Sequence, residues 1–381
     1  MEHNNGQSWP APQVDLKAAA PQFWLLLGEA QARCSQISGA PLRPGAAEEI
    51  GRIQTARFLL AGAAIAGNTI TDDELLRHLD GRLDPAPSQR SLPISLVSLL
   101  AARTSILESV ARGEPAEVTP ELLTALNRLA LAGVAAGEPG AGRRDDTLPP
   151  AGADGPRDAG PPAGDLPALL ARLCMWLNAP RPGPPLVVAI MRAFLAHLHV
   201  AWIRPFADGN GRTARLVELH VLAHAGVPPP AMALPLVFHA RDREEYFRQI
   251  ARARRSPSGP VHFVQHSTLG FVEELRELEA ALAARQREAT WRHHVEAAFG
   301  DRSGKAARRQ KQLLLDLGAA GGPVATSRVR AAGPDSALAY LRLNEKTVRR
   351  DLSELAARGL VERVRGGWRV RRGSLVPWAR G

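Results

Sequence analysis

From Asp208 to Arg215 the chain reads Asp-Gly-Asn-Gly-Arg-Thr-Ala-Arg, and these residue types at this spacing can hold a triphosphate. Gly209, Asn210 and Gly211 can adopt left-handed or otherwise strained backbone angles that turn several N–H groups toward one point. They open onto a helix, whose first N–H groups lack partners and whose dipole attracts anions. Arg212 and Arg215, three apart on one face of that helix start, add two guanidinium forks suited to phosphate oxygens. Asp208 supplies a hard oxygen of the kind Mg²⁺ accepts beside phosphates. A glycine-flanked asparagine by itself is usually a turn, and helix-start arginines are usually solvated. The combination is what marks a candidate nucleotide site.

Two helices must position this stretch. Leu186 to Ile203 is an apolar helical run, and Thr213 to Ala225 reads as a helix with Leu216, Leu219 and Leu222 on one side. Helical spacing recurs over Gln22–Ile37, Ala46–Ile65, Pro93–Ala111, Pro120–Ala135, Leu166–Asn178, Phe238–Ala253 and Phe263–Arg287, so the body is read as all-helical. Gly67 and Asn68 end one helix, and Thr71 with Glu74 opens the next as a capping box. From Gly137 to Asp165 large apolar residues are almost missing, and a mobile loop is expected. Tyr246 and Phe247 read as core or pocket wall. His197 is expected to be buried on a backbone partner, with His199, His220 and His224 packing or on helix surfaces. None of them is placed by spacing to act as a base.

Charge divides the chain sharply. Residues 301 to 381 carry 18 Lys and Arg against 7 Asp and Glu, so the whole formal charge of +10 resides there and the other 300 residues are nearly neutral. A basic end on a neutral body points to nucleic acid. Ala306 to Leu317 is a basic amphipathic helix, and Asn344 caps a second, Glu345 to Arg358, closed by Gly359. Val348, Leu352 and Leu355 form its inward stripe, leaving Lys346, Thr347, Arg349 and Arg350 where a recognition helix meets DNA. Leu360–Arg365 and Trp368–Arg372 flank Gly366-Gly367, a hairpin signal decorated by Arg363, Arg365 and Arg369. Cys34 and Cys174 are too few for a disulfide framework and read as small buried side chains in a reducing compartment. No run looks long and apolar enough to span a membrane, and Met1 to Pro12 lacks the order of a signal peptide. A cytoplasmic protein with no membrane partner is the expectation.

Pro205 to Arg215 closely resembles the signature of the Fic (Fido) family, whose members mostly transfer AMP from ATP to hydroxyl side chains of target proteins. Thr347 to Leu352, Gly359-Leu360 and the hairpin are similar to the winged helix-turn-helix of bacterial regulators, which many Fic proteins carry at the C-terminus. Together these imply a mainly α protein: a Fic/Fido helical fold with an N-terminal helical region (1-135), a flexible loop in the flap position (136-165), a Fic/Fido core (166-287), a linker (288-305) and a small α+β winged-helix DNA-binding domain (306-381). The implied cofactors are ATP, held by Asp208, Gly209, Asn210, Gly211, Arg212 and Arg215, and Mg²⁺ on Asp208. The implied partners are duplex DNA, a nucleotide and a target protein, and a homodimer would be compatible.

Two positions depart from the family pattern. The signature begins with a histidine that acts as general base, and Arg204 stands in that place. A base must be substantially neutral near pH 7, whereas arginine keeps its proton to a pH above about 12. Losing a positioned base costs about 10² to 10⁴ in rate. In many Fic proteins a glutamate before Gly-Asn reaches the second signature arginine and blocks the γ-phosphate; the matching residue is Ala66. The first reading is therefore a DNA-binding regulator that binds Mg-ATP and is impaired in AMP transfer. The alternatives are an active protein adenylyltransferase, with the acceptor proton passing to water or another group, and a fold kept only to dimerise the winged helix.

Overall fold

The structure, a computed structural model, describes residues 16–41, 44–68, 70–71, 74–75, 91–134, 138–146, 160–300 and 302–371. The N-terminal twelve residues, residues 147–159 of the expected loop and Arg372 lie outside these. The chain divides into two compact units, Met1–Glu279 and Ala280–Gly381.

The first unit is helical, with α1 (Pro21–Ser38), α2 (Pro44–Ile65), α3 (Ser91–Ala111), α4 (Pro120–Leu131), α5 (Leu166–Asn178), α6 (Pro185–Ile203), α7 (Asn210–His224), α8 (Leu234–Arg241), α9 (Arg243–Ala253) and the first half of α10 (Gly259–Phe299). Its centre is the pair α6 and α7, around which α1, α3, α4 and α5 pack. Helix α6 is apolar on nearly every side, and Val188, Ile190, Phe194, Leu198, Val200 and Ile203 are all in the core, as an all-round apolar helix requires. Helices Ile94–Ala111 and Pro185–Ile203 are long and apolar enough to cross a membrane by length and composition, which corrects the expectation that no such run exists. The second of them is 67% buried within this fold.

Several boundaries differ from the sequence reading for physical reasons. Helix α7 starts at Asn210 rather than Thr213, because Gly209 alone takes the left-handed turn (φ 74°) and Asn210 and Gly211 are already helical. The stretch Phe238–Ala253 is not one helix. Asp242 leaves the helical region (φ −140°, ψ 91°) and its carboxylate accepts the Glu245 N–H at 2.9 Å, so it caps α9 instead of continuing α8. The Thr71–Glu74 capping box forms, with each side chain accepting the other's N–H, at 2.8 and 3.3 Å. Helix α10 runs through residues 288–299, read above as linker, and Trp291, Val295 and Phe299 are buried in the second unit's core.

That second unit continues with α11 (Lys305–Ala319), a 3-10 turn at Thr326–Ala331, α12 (Pro334–Tyr340), α13 (Glu345–Ala357) and the hairpin β1 (Val361–Val364) and β2 (Gly367–Val370). The inward stripe of α13, Val348, Leu352 and Leu355, packs with Leu313, Leu317 and Tyr340. Pairing of Val364 with Gly367 makes Arg365 and Gly366 the turn, not Gly366-Gly367. Gly367 is needed in the strand itself: a Cβ there would lie 2.1 Å from the Val324 carbonyl oxygen, because Val324 exchanges two 2.8 Å hydrogen bonds with Trp368. Cys34 and Cys174 are buried and free, as expected.

Candidate functional site

Helix α6 ends at Arg204, whose backbone is left-handed (φ 49°, ψ 62°) and whose N–H still bonds the Val200 carbonyl at 3.0 Å. Pro205 then prevents continuation. Among the described residues Arg204 is the one non-glycine with positive φ. Glycine is the usual residue in such a turn, and a side chain costs on the order of 1 kcal/mol there. The loop that follows is buckled by Asn210, which accepts the Phe206 N–H at 2.9 Å and donates to the Phe206 carbonyl at 2.8 Å. The Asn210 side chain is thus spent on the loop, and of this residue only the backbone can face a ligand. Asp208 Oδ1 accepts the Gly209 N–H at 2.6 Å, and Oδ2 lies 3.5 Å from Arg212 Nη2.

Two residues that sequence reasoning missed hold this loop from outside. Asn127 on α4, fully buried, donates to the Asp208 carbonyl at 2.9 Å and to Thr213 Oγ1 at 3.1 Å, and accepts the Gly140 N–H at 2.8 Å. It also lies where a Cβ on Gly209 would go, at 3.0 Å, so both the angle and the space demand glycine. Arg143 is buried, and its guanidinium donates to the carbonyls of Arg204, Asp145 and Pro161. Residues 141 to 143 pair with the signature loop: the Arg143 N–H bonds the Pro205 carbonyl at 2.9 Å and the Ala207 N–H the Ala141 carbonyl at 3.1 Å. The described part of the expected mobile loop is thus tied down, against the sequence reading. Burial pushes the Arg143 guanidinium below its ordinary pKa; Asp146 opposes this, and the neighbouring Arg204 charge adds to it.

The loop gathers cations with few anions. Arg204 and Arg215 are 7% and 6% exposed, and Arg215 Nη1 and Arg212 Nε are buried with no hydrogen-bond partner among the described residues. Orphaned guanidinium nitrogens beside a helix N-terminus fit phosphate oxygens. Arg204, Asn210 and Gly211 line one cleft with Trp202, Tyr246 and Phe247, so the pocket-wall reading of the two aromatics holds. Mg²⁺ has one carboxylate here, Asp208; no cluster of three His, Cys, Asp or Glu that could hold a metal occurs among the described residues. One carboxylate fits Mg²⁺ only in company with phosphates and water.

His197 is not held by backbone as expected. Its Nδ1 lies 2.5 Å from Glu218 Oε2 and its Nε2 2.7 Å from the Tyr246 hydroxyl, all three buried. Burial lowers the His199 and His220 pKa values to about 4, and His239, fully buried near His197, falls well below the usual range. Ala66 follows the last residue of α2, and the Ile65 carbonyl there accepts from Arg243 Nε at 2.8 Å.

In the second unit Asn344 caps α13, its Oδ1 accepting both the N–H and the hydroxyl of Thr347 at 3.0 Å. Lys346, Arg349 and Arg350 are exposed on α13, and Arg363, Arg365 and Arg369 on the hairpin, with Arg365 in the turn. The hairpin arginines do not share a face: Arg363 pairs across from Trp368, and Arg369 from Glu362. Asp351, buried and unnoticed in the sequence, binds Arg309, Gln310 and Tyr340 and so locks α13 to α11 and α12.

Residues 117–222 match the Fic/DOC family and residues 335–372 the DeoR-like helix-turn-helix domain. The chain carries a Fic domain. The match begins at residue 117, inside the region read as N-terminal, so α4 and its Asn127 belong to the Fic domain. The protein adenylyltransferase Fic of Culex quinquefasciatus is 34% identical over 109 residues, 28% of this chain and 20% of that protein. That of Nematostella vectensis is 35% identical over 86 residues, 22% of this chain and 19% of that protein. The chain therefore spans about a fifth of the length of the curated relatives it matches. A Fic family protein from Desulfovibrio desulfuricans G20 shares the fold over 96% of this chain and 99% of its own, with a TM-score of 0.55 at 19% identity.

Proposed function

We propose that this is a DNA-binding Fic-domain protein that holds Mg-ATP at its signature loop and transfers AMP poorly or not at all. The observation that carries the reading is the pairing of orphaned, buried nitrogens on Arg212 and Arg215 with an arginine where a base should stand. The backbone at the start of α7, Arg212 and Arg215 would hold the phosphates, and Asp208 the Mg²⁺. Bound ATP would supply an activated adenylyl group. An acceptor hydroxyl brought beside it must lose a proton, and the Arg204 guanidinium, already protonated, cannot take it. Ala66 offers no carboxylate to Arg215, so the phosphate-binding face stays open without an inhibitory glutamate.

A second reading, an active adenylyltransferase, is favoured by the retention of Asp208, Arg212 and Arg215 together. For the second unit, the DeoR-like match and the exposed cations on α13 and the hairpin support binding to duplex DNA. One experiment separates the two readings of the Fic domain. With α-labelled ATP and a cell lysate, wild type should label little and Arg204→His should label measurably, and Ala66→Glu added to that variant should suppress the labelling. Robust wild-type labelling that disappears in Asp208→Ala would establish the enzyme reading instead.

A further inference from the structure

The loss of a base explains what Arg204 cannot do; its surroundings indicate what it does. Arg204 is 7% exposed and lines the cleft with Asn210 and Gly211, at the N-terminus of α7. The Arg204 carbonyl accepts from Arg143, yet no hydrogen bond or ion pair reaches its guanidinium among the described residues. Of the other charged or titratable groups, Tyr246 and Arg254 line the same cleft, and Arg143 on the paired loop is close enough for the two charges to act on each other. No acid is among the residues lining that cleft, and Asp208 of the signature stretch faces Arg212 and the Gly209 N–H. Glu218, on α7, is bound to His197.

A buried cation with no counter-charge is unfavourable unless an anion joins it. The cleft has no carboxylate among its lining residues to offset the Arg204 guanidinium. Planar guanidinium forks match phosphate oxygens better than they match water. We propose that Arg204 is itself a phosphate ligand, so that the substitution which removes the base adds a third guanidinium to the polyphosphate site. The Fic domain then retains a nucleoside triphosphate as a bound ligand instead of turning it over. This rests on the nucleotide reading above and adds to it a residue, a direction of affinity and a preference for polyphosphates over monophosphates.

Equilibrium binding of Mg-ATP, AMP and inorganic tripolyphosphate to wild type, Arg204→Gln and Arg204→His, with thermal melts to verify folding, tests the proposal. Wild type should bind ATP and tripolyphosphate far more tightly than AMP. Arg204→Gln should weaken both polyphosphates at least about tenfold while leaving the weak AMP binding little changed. Arg204→His should match Arg204→Gln at pH 8.5 and regain affinity relative to it as pH falls through about 6.5, where an imidazole becomes a cation. A merely structural role for Arg204 would not produce that pH-dependent ratio. Folded Gln and His variants that bind ATP as wild type does at every pH would overturn the role of Arg204 and leave the nucleotide reading standing. A wild type that binds no ATP at millimolar concentration would instead remove the nucleotide reading itself.

Discussion

Arginines of the signature loop and arginines of the C-terminal unit live in opposite surroundings. Arg204 and Arg215 are 7% and 6% exposed, and no carboxylate reaches them among the described residues. On α13 and the hairpin, Arg349, Arg350, Arg369 and Arg371 stand in solvent, each facing a glutamate: Glu345, Glu354, or, for the last two, Glu362. Exposed pairs of this kind contribute about 0–1 kcal/mol and are screened by salt, so they can be exchanged for DNA phosphates at little cost. The buried cations have no such freedom. Their backbone positions are set by the end of α6 and by α7, and the proposed nucleotide site assigns both to one multiply charged ligand. The same side chain is thus buried without a carboxylate in one unit and exposed beside a glutamate in the other.

The strongest way to sharpen the contrast is acid. Burial lowers the pKa of His199 and His220 to about 4, below the 6.5 of an unfolded chain, so the fold binds fewer protons than the unfolded state between those values. Each histidine then adds stability that is complete above pH 6.5 and is lost as pH falls toward 4, on the order of 1.4 kcal/mol per unit. The thermal midpoint should fall steeply over that window, and His199→Phe should flatten the slope. A midpoint flat from pH 6.5 to 4 would contradict the buried, neutral histidines.

Next in size is Arg215→Ala. Removing charge-assisted hydrogen bonds worth about 1.5–3 kcal/mol should weaken Mg-ATP by about 10- to 100-fold, while affinity for duplex DNA stays unchanged. Equal losses for both ligands would break the division between the two regions. The smallest effect belongs to the exposed set. Arg350→Ala should lower the slope of log affinity for DNA against log salt by about 0.9 and change fold stability by less than about 0.5 kcal/mol. An unchanged slope would remove Arg350 from the interface.

Sequence alone foresaw the parts of this molecule that depend on local chemistry. Gly209 is legible because its angle excludes other residues, and the cap at Asn344 and the stripe Val348, Leu352 and Leu355 are legible because both follow helical spacing. The side-chain bonds of Asn210 to Phe206 were not legible, because an amide in a loop can bind a ligand or the loop. Asn127 and Arg143 were illegible for a different reason: they reach Asp208, Thr213 and Arg204 across 60 to 90 residues of chain, and neither stands in a motif. The turn at Arg365-Gly366 shifted by one residue because Val324, far back in sequence, demands a glycine within the strand at 367. Tertiary contacts, not propensity, decided all of these but the local bond of Asn210.

The central claim is that the Fic domain holds a nucleotide without consuming it. Purified wild-type protein incubated with Mg²⁺ and α-labelled ATP can be passed rapidly over a desalting column, and the retained label counted before and after denaturation. Retention on the native protein, with complete release once it is unfolded, is the result expected of a bound ligand. Label that survives denaturation would show AMP transfer and contradict the account.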